Sequence, residues 1–417
     1  MSTEEDRMND KTAVSEIKNL KEFFTFFKSE LKPRVERTNF TPFNVITIPI
    51  ILVGLIIIVI RFAKGLGAVT NLSQDFPWGL WIGFDVLIGI ALAGGAYVLC
   101  FIYYILGYEK YHPIVRAVVL NGFLAYSFYA GALILDLGRP WNALNVLIGN
   151  KFGFSSVLFM VAWHFFLYTI SLLVEFSPAI AEWLGLKKAW RTLNAMTLGA
   201  VVLGIMLSLG HQGGVGGLFL LAKAKIHPLW YSEFIPLLFV VSSIFAGLSM
   251  VIFEGSISNK VFKNRMSAEH HKAHDRIVLS LAKVCAGSMF VYLFLKLLEL
   301  NHEQTWSLLS TSMGSWYLLE VVGCVAVPAW LFVTGARSRS TGVIQLAAII
   351  TILGVVLNRL NICLIAYKWY APLRYYPTWM EVVVTLTVVF TELWVYRWIV
   401  NRMPVVSDSP EWAKDAH

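Results

Sequence analysis

The sequence predicts an all-α integral membrane protein with about ten transmembrane helices. Of its 417 residues, 57% are hydrophobic and 14% are charged, whereas about a quarter of the residues of a typical soluble domain are charged. Apolar runs near the ~20 residues that a helix needs to cross the hydrocarbon core recur along the chain. Polar and apolar residues do not alternate in the ~10-residue segments typical of a transmembrane β-barrel. A bundle of helices is therefore predicted.

The predicted spans follow the apolar runs in order. They lie at 43–62, 79–106, 115–135, 155–176, 193–210, 234–256, 277–299, 314–334, 342–367 and 379–400. Residues 1–42 are polar and lack the apolar core of a signal peptide. We interpret them as a cytoplasmic tail in which residues 15–31 favour a helix and Pro33 ends it. Residues 43–403 are then one membrane domain, and residues 404–417 are a second cytoplasmic tail.

The distribution of Lys and Arg near the span ends predicts the orientation. The side that holds both termini and the loops after even-numbered spans has more than twice as many of these residues as the opposite side. Both termini are therefore predicted to be cytoplasmic. This bias, together with anionic lipid head groups, explains the net charge of +8 without nucleic acid as a partner.

The cysteines are isolated from one another. Cys100, Cys285, Cys324 and Cys363 all lie in apolar spans, and the chain contains no CxxC or Cys/His cluster. Small buried hydrophobic side chains are the ordinary interpretation. We therefore expect neither an iron–sulfur cluster nor a metal in this chain.

Several ionisable residues are predicted at membrane depth, where an unpaired charge costs several kcal/mol and commonly marks a ligand site or a pathway. They are Asp85, Asp136, His164, His211, Lys296, Glu299, Glu320, Arg359, Glu381 and Glu392. Lys296 and Glu299 could simply neutralise each other, and Arg359 needs a partner on another helix, with Glu320 or Asp85 as the alternatives. The sequence assigns no role to Glu392. Glu175 and Glu254 lie near cytoplasmic span ends, which favours a structural role.

The stretch SLGHQGGVGGLF at residues 208–219 admits three interpretations. A haem needs two imidazoles at one depth, and His164 is predicted near the midplane while His211 is predicted at the outer end of its span, which disfavours haem. A nucleotide loop is excluded because the lysine and the preceding strand are missing. A quinone needs an apolar slot and hydrogen-bond partners that exchange protons, as His or a carboxylate does. The glycines are predicted to form a loop that leaves room for a flat ring.

Residues of the right chemistry for a quinone are predicted at the outer ends of consecutive spans, which tend to be neighbours in space. They are Trp78, Asp136, Arg139 and His211, with Asp85 somewhat deeper. The sequence therefore predicts a quinone site on the outer side of the first few helices.

A set of motifs in a fixed order resembles the NrfD/PsrC family of membrane quinone-interacting subunits, in particular its ten-helix branch with the hydrogenase-2 subunit HybB and the quinone reductase complex subunit QrcD. The motifs are FPWGLWIGFDVLIGIALAGGAYVL, DLGRPWN, GHQGGVGG, KIHPLW, IFEGS, KLLEL, LEVV, LNRL and YYPTWMEV. The similarity covers about residues 44 to 403, nearly the whole chain.

The resemblance implies two four-helix bundles, spans two to five and six to nine, flanked by the first and last helices, in a bacterial inner membrane. It also implies menaquinone as the bound substrate, and no haem or iron–sulfur cluster in this chain. The implied partners are a periplasmic ferredoxin-like iron–sulfur subunit, a catalytic subunit of the hydrogenase or molybdopterin type, and cytochrome c as a further electron donor. The chain would then be the quinone-reactive subunit of a respiratory oxidoreductase complex.

The resemblance also implies roles for particular residues. Quinone binding is expected at Trp78, Gly79, Asp136, Arg139, His211, Gln212 and His227, and proton transfer, with proton translocation as an extension, at Asp85, His164, Glu299, Glu320, Arg359 and Glu381. Two other classes of function remain as alternatives. One is a secondary transporter or proton channel, disfavoured because no Gly/Pro break recurs in matching halves. The other is a non-catalytic membrane anchor.

Overall fold

The computed structural model describes residues 20–31, 41–145, 153, 155–262, 266, 268–407 and 410–414. Within these residues, ten helices are long and apolar enough to cross a membrane, which confirms the predicted fold class. They are α1 (Pro42–Lys64), α2 (Ile82–Ile105), α3 (Glu109–Asp136), α4 (Val157–Trp183), α5 (Lys187–Leu220), α6 (Ile235–Val261), α7 (Ala273–His302), α8 (Ser312–Arg337), α9 (Thr341–Ile365) and α10 (Trp379–Val400). A short helix, Leu20–Glu30, precedes them, and Glu411–Lys414 follows them.

Helix α5 departs most from the prediction, because it continues through the glycine-rich stretch and ends only at Leu220. In water, a glycine in the interior of a helix is less favourable than an alanine by about 1 kcal/mol. In lipid, however, every backbone group needs an internal partner, and small residues let neighbouring helices approach closely. A Cβ on Gly216 would lie 2.8 Å from Cα of Pro236, so the missing side chain is what allows α6 to pack here. The predicted loop is wrong, and the glycines serve contact between helices.

Three helices contain π-helical turns, a feature that is frequent at functional sites. The π-helical segments are Ile82–Gly89 and Phe101–Ile105 in α2, Leu319–Ala326 in α8 and Asn361–Ile365 in α9. Asp85 lies in the first of these segments and Glu320 in the third. Two of the four π-helical segments therefore contain a buried acidic side chain.

Contacts between the helices confirm two four-helix bundles. In the first bundle, α2 packs on α3 and α5, and α4 packs on α3 and α5. In the second, α6 packs on α7 and α9, and α8 packs on α7 and α9. Helices α1 and α10 pack on each other and α10 also packs on α3, while α6 and α9 join the two bundles through α2.

The bundles meet most closely where α2 crosses α6. A Cβ on Gly247 would overlap the backbone of Gly94 and Gly95. We expect Gly247→Ala to destabilise the protein by about 1–3 kcal/mol, because overpacking against backbone forces the helices apart. The measurement is thermal unfolding in detergent. Gly199→Ala is the matched control, since its Cβ would meet nothing within 4 Å; equal melting temperatures for the two variants would contradict the prediction.

The bundle has two ends, named here by one residue each. At the Asp75 end, α2, α4, α6, α8 and α10 begin, and Lys368 Nζ lies 2.6 Å from Asp75 Oδ1. The hydrogen bond and the charge of Lys368 lower the pKa of Asp75. At the Arg116 end, Arg116 forms an ion pair of 2.7 Å with Glu182. The helix Leu20–Glu30 also lies at this end, where the Phe26 ring packs against Trp183.

Candidate functional site

Asp136 ends α3 at the Asp75 end, close to an arginine that the sequence prediction did not select. Arg61, 3% exposed on α1, donates from Nε to the Leu135 carbonyl at 2.6 Å and from its guanidinium to the Leu137 carbonyl. Its charge interacts with the Asp136 carboxylate, whose Oδ1 is buried without a hydrogen-bond partner. Arg139, the expected partner of Asp136, is exposed. The cation beside Asp136 is therefore Arg61.

Asp85 lies deeper, in the π-helical part of α2. It is 3% exposed, its Oδ1 has no hydrogen-bond partner, and its carboxylate interacts with those of Asp136 and Glu392. The Tyr129 hydroxyl on α3 lies beside Glu392 and within electrostatic range of Asp85. Asp85 therefore lies within electrostatic range of two other carboxylates, Asp136 on α3 and Glu392 on α10. The sequence assigned no role to Glu392.

Glu381, 1% exposed at the start of α10, has both carboxylate oxygens occupied. The backbone amides of Thr378 and Asn71 donate to Oε2 at 2.8 and 3.2 Å, and the Tyr375 hydroxyl donates to Oε1. Thr378 and Glu381 form a capping box, which fixes the start of the helix. The structure places Glu381 near Asp136, outside the second bundle, where it fastens two loops.

Trp78 and Gly79 line the start of α2. The Trp78 ring meets the Phe219 ring edge-on at a centroid distance of 5.6 Å. A Cβ on Gly79 would lie 2.6 Å from the Tyr375 hydroxyl, which accepts a hydrogen bond from the Leu80 amide at 2.9 Å. Below Trp78, the buried apolar side chains Leu87, Val161, Val215 and Phe219 of α2, α4 and α5 belong to a cluster that also includes side chains of α6, α8 and α9. Trp78 therefore lies at the edge of an apolar core that both bundles share.

His211 is completely buried in α5. Its Nδ1 lies 3.1 Å from the Val161 carbonyl, and a carbonyl only accepts, so Nδ1 carries the proton. Nε2 is then an unprotonated acceptor, and it is buried without a partner. The Phe165 and Tyr126 rings lie 5.3 and 5.9 Å away. The arrangement leaves His211 with one nitrogen fixed by the backbone and the other available as a base.

His211 and Asp136 do not share a depth, contrary to the expectation from sequence. His211 lies nine residues before the end of α5, which is about 14 Å at the helical rise. Its neighbour Tyr126 is ten residues before Asp136 on α3, about 15 Å along that axis. The difference arises because the glycine-rich stretch is helical, so that His211 is carried below the surface.

His164 lies at nearly the same level as His211, which the sequence prediction also missed. The His164 ring approaches Gly210 so closely that a Cβ there would be 3.1 Å from Nε2. The depth argument against haem is therefore wrong. At this level α4 packs directly on α5.

Gln212, the residue after His211, faces α2. Its side-chain amide donates to the Ile90 carbonyl at 3.0 Å. Ile90 follows the π-helical segment of α2, so this bond joins α5 to the helix that carries Asp85. The observed contact of Gln212 is structural.

His227 lies in the loop between α5 and α6, at the Asp75 end. Its backbone amide donates to the Ala366 carbonyl at 3.0 Å, and its ring packs against Trp369 at 4.8 Å. Nδ1 accepts from the Leu229 amide at 3.2 Å, and burial lowers the pKa of His227. His227 therefore holds this loop to the loop after α9 in its neutral form.

In the second bundle, Glu320 is bound by three donors. Trp230 Nε1 donates to Oε2 at 2.8 Å, Asn358 Nδ2 donates to Oε1 at 2.7 Å, and Asn361 Nδ2 also donates to Oε2. Asn358 Oδ1 accepts from Arg359 at 2.7 Å, so the expected partner Glu320 meets Arg359 only through an amide. Arg359 also donates to Ser242 at 2.7 Å. Both carboxylate oxygens of Glu320 are therefore occupied by donors.

Lys296 and Glu299 form the local pair that the sequence suggested. Lys296 Nζ lies 2.6 Å from Glu299 Oε2, with both side chains at most 4% exposed. Glu299 Oε1 and the neighbouring Tyr317 hydroxyl have no hydrogen-bond partner. The pair is neutral as a whole, although part of its hydrogen-bonding capacity is unused.

Two observations summarise the chemistry of the described residues. First, no three His, Cys, Asp or Glu side chains among them are arranged to hold a metal ion. Second, ionisable side chains with an unpaired buried atom include Asp85, Asp136 and His211 in the first bundle and Glu299 and Arg359 in the second. Arg61, Tyr129 and Tyr375 were missed, since a charge at a span end and tyrosines in apolar runs are ordinary features of membrane sequences.

Ten membrane-crossing helices with buried acids and a buried histidine define a multi-pass membrane protein. The family model described as polysulphide reductase, NrfD, matches residues 68–371. The chain therefore belongs to the NrfD family.

Its relatives match over most of their length. A protein of Nitratidesulfovibrio vulgaris is 43% identical over 379 residues, covering 90% of this chain and 97% of its own. The probable Ni/Fe-hydrogenase 2 b-type cytochrome subunit of Escherichia coli is 31% identical over 363 residues, covering 86% and 91%. The integral membrane subunit of menaquinone reductase of N. vulgaris is 28% identical over 327 residues, covering 71% and 74%. Relatives in this family are thus membrane subunits of oxidoreductase complexes.

Proposed function

We propose that the chain binds menaquinone in the first bundle near the Asp75 end and exchanges electrons with it through an iron–sulfur partner docked on that end. The observation that carries the proposal is the set of unpaired buried atoms on Asp136, Asp85 and His211, at successively greater depths. Buried polar atoms normally have partners, so these three are suited to a ligand or to protons. The name of the menaquinone reductase relative supports the same substrate.

The residues fit a quinone head group. Asp136, with Arg61 beside it, presents a carboxyl oxygen that accepts a hydrogen bond from a quinol hydroxyl when it is ionised and donates one to a quinone carbonyl when it is protonated. Trp78 and the apolar side chains below it exclude water, and they are suited to pack against a ring and an isoprenoid tail. When bound, menaquinone supplies a two-electron, two-proton couple. The chain supplies the acids and bases: Asp136 holds a proton at the head group, while Asp85 and His211 exchange protons at greater depth.

The Asp75 end is proposed to face the periplasm and the Arg116 end the cytoplasm of a bacterial inner membrane. The excess of Lys and Arg near the Arg116 end supports this orientation. The electron donor would then be a periplasmic iron–sulfur subunit, with a catalytic subunit of the hydrogenase or molybdopterin type beyond it. The relative named as a hydrogenase-2 subunit supports a complex of this kind.

Menaquinone binding provides the test. The full chain, purified with the proteins that accompany it, should retain menaquinone on extraction, and Asp136→Asn should weaken binding of the reduced form, menaquinol, by about 10- to 100-fold. That range follows from the loss of a hydrogen bond to a charged group, worth about 1.5–3 kcal/mol. Asp75→Asn is the control, because its carboxylate is exposed at the same end. A wild-type complex that binds no menaquinone would leave only the anchor or transporter alternatives.

A further inference from the structure

The N-terminal helix Leu20–Glu30 takes no part in the proposed function. Its sequence, LKEFFTFFKSE, contains four phenylalanines in 11 residues. Two of them dock the helix on the membrane domain. The Phe26 ring lies 5.1 Å from the Trp183 ring, and the Phe27 ring lies 6.1 Å from the Trp398 ring. One face of the helix is therefore held against the Arg116 end.

These contacts place the helix at the level where membrane-crossing helices end. Trp183 is the last residue of α4, and Trp398 lies two residues before the end of α10. Their rings lie 6.0 Å apart. Just beyond α10, Arg402 Nε donates to the Glu30 carbonyl at 2.6 Å. Tryptophan is enriched at the boundary between hydrocarbon and head groups, so the helix lies at the membrane surface.

A second face of the helix is apolar and turned away from the protein. Phe24 is 63% exposed, and Leu31, which directly follows the helix, is 59% exposed. At about 100° per residue, Phe24 lies about 60° around the helix from the docked Phe27. Apolar area of this kind is stabilised when it leaves water. At the membrane surface, the medium available to cover it is the lipid leaflet.

The remaining surface of the helix is polar, and its side chains follow a fixed order. Lys28 and Lys21 lie next to Phe24, and Thr25 and Ser29 come after them on the far side. Both lysines and both hydroxyl side chains are exposed. An apolar face bordered by lysines is typical of an amphipathic helix that lies in a membrane interface. Lysine suits this position because its stem packs along apolar surface while its ammonium group stays among polar groups.

The charge at this end of the bundle complements anionic head groups. Lys21 and Lys28 are accompanied by further exposed basic side chains near the Arg116 end: Lys187, Lys188 and Arg191. Each Lys or Arg near an anionic leaflet strengthens binding to the membrane. A soluble protein would have to displace lipid to reach the apolar face. The observations therefore favour an anionic leaflet as the occupant.

We propose that the helix Leu20–Glu30 binds an anionic phospholipid leaflet at the Arg116 end. Phe24 and Leu31 then lie among the acyl chains, and Lys21 and Lys28 contact the phosphates. This binding is independent of quinone turnover. Because the docked face of the helix packs on the ends of α4 and α10, the leaflet also holds those two ends at the membrane surface.

The test is hydrogen–deuterium exchange of the full chain in nanodiscs of phosphatidylcholine, with and without phosphatidylglycerol. Amides of the helix should exchange about 10- to 30-fold more slowly with phosphatidylglycerol, the effect of two lysines near an anionic surface. High salt should remove this difference. Lys21→Gln combined with Lys28→Gln should abolish it. Phe24→Ser should speed exchange about 10-fold in both lipids, because an apolar contact with the acyl chains is lost.

Two controls are matched to these variants. Lys223→Gln combined with Lys225→Gln removes two exposed lysines at the Asp75 end. Thr25→Ser changes an exposed residue on the polar side of the same helix. In both controls, the amides of the helix should exchange as they do in the wild type.

Three outcomes would overturn the proposal. The first is wild-type exchange that is equal in the two lipids. The second is a lipid dependence that persists when Lys21 and Lys28 are both replaced. The third is protection that appears only after a soluble protein fraction is added, which would assign the apolar face to a protein partner. None of these outcomes bears on menaquinone binding.

Discussion

Replacing His211 with asparagine is expected to lower quinone turnover by about 10²- to 10⁴-fold, the range typical for loss of a general acid or base. The side-chain nitrogen of asparagine can take the place of Nδ1 and keep the hydrogen bond to the Val161 carbonyl, which is 3.1 Å long in the wild type. Nε2, the unpaired base, has no counterpart in asparagine. The helices should therefore still pack, and only the proton-exchanging atom is lost.

The measurement is steady-state turnover of the isolated complex with a menaquinone of short tail, alongside the melting temperature and the amount of assembled complex. His112→Gln is the matched histidine control, since His112 is exposed at the Arg116 end. If His211→Asn turned over at the wild-type rate with normal assembly, His211 would have no part in proton exchange. If the variant failed to assemble, His211→Gln, which retains an amide near the Nε2 position, would distinguish packing from chemistry.

Replacing Glu320 with glutamine is expected to destabilise the protein by about 3 kcal/mol or more, because a buried charge network loses an acceptor. Both carboxylate oxygens accept from donors, namely Trp230, Asn358 and Asn361. The amide of glutamine in either orientation turns an NH₂ group toward at least one donor. The asparagines cannot rotate to help, since Asn358 Oδ1 accepts from Arg359 and Asn361 Oδ1 accepts from Trp316 at 2.9 Å.

Thermal unfolding and yield from the membrane test this expectation, with Glu233→Gln, an exposed carboxylate in the loop before α6, as the control. A proton-relay role for Glu320, as the sequence suggested, would give another pattern. Glu320→Gln would then melt like the wild type and lose only proton-coupled activity. That pattern would contradict the structural role inferred from the hydrogen bonds.

Some of the site could be predicted from the sequence because ionisable residues are rare in apolar transmembrane segments and are therefore easy to recognise. Asp85, Asp136 and His211 were selected as ionisable residues in apolar runs, and each has an unpaired buried atom in the structure. Glu175 was interpreted as structural because it lies near a span end. Its position beside Tyr168 and Gly204 depends on how α4 packs on α5, and hydropathy carries no information on that packing.

Partner assignments were the least predictable part. Arg139 follows Asp136 closely in sequence, yet Arg61, on the first helix, is the arginine beside it. Arg359 was expected to meet an acid directly, yet Asn358 stands between it and Glu320. In both cases the partner is chosen by contacts between helices, where distance along the chain is a poor guide.

The sequence by itself determined the ten spans, the two ends of the bundle, the family and most of the residues with unusual chemistry. It could do so because lipid requires each crossing segment to satisfy its own backbone, which leaves long apolar runs as the signature of helices. Only the tertiary structure decided the depth of His211, the helical state of its glycines, and which buried acids are already saturated. Those properties depend on side chains that meet across helix interfaces. There, a glycine sets how closely two helices approach, and a single side-chain amide sets which polar atoms have a hydrogen-bond partner.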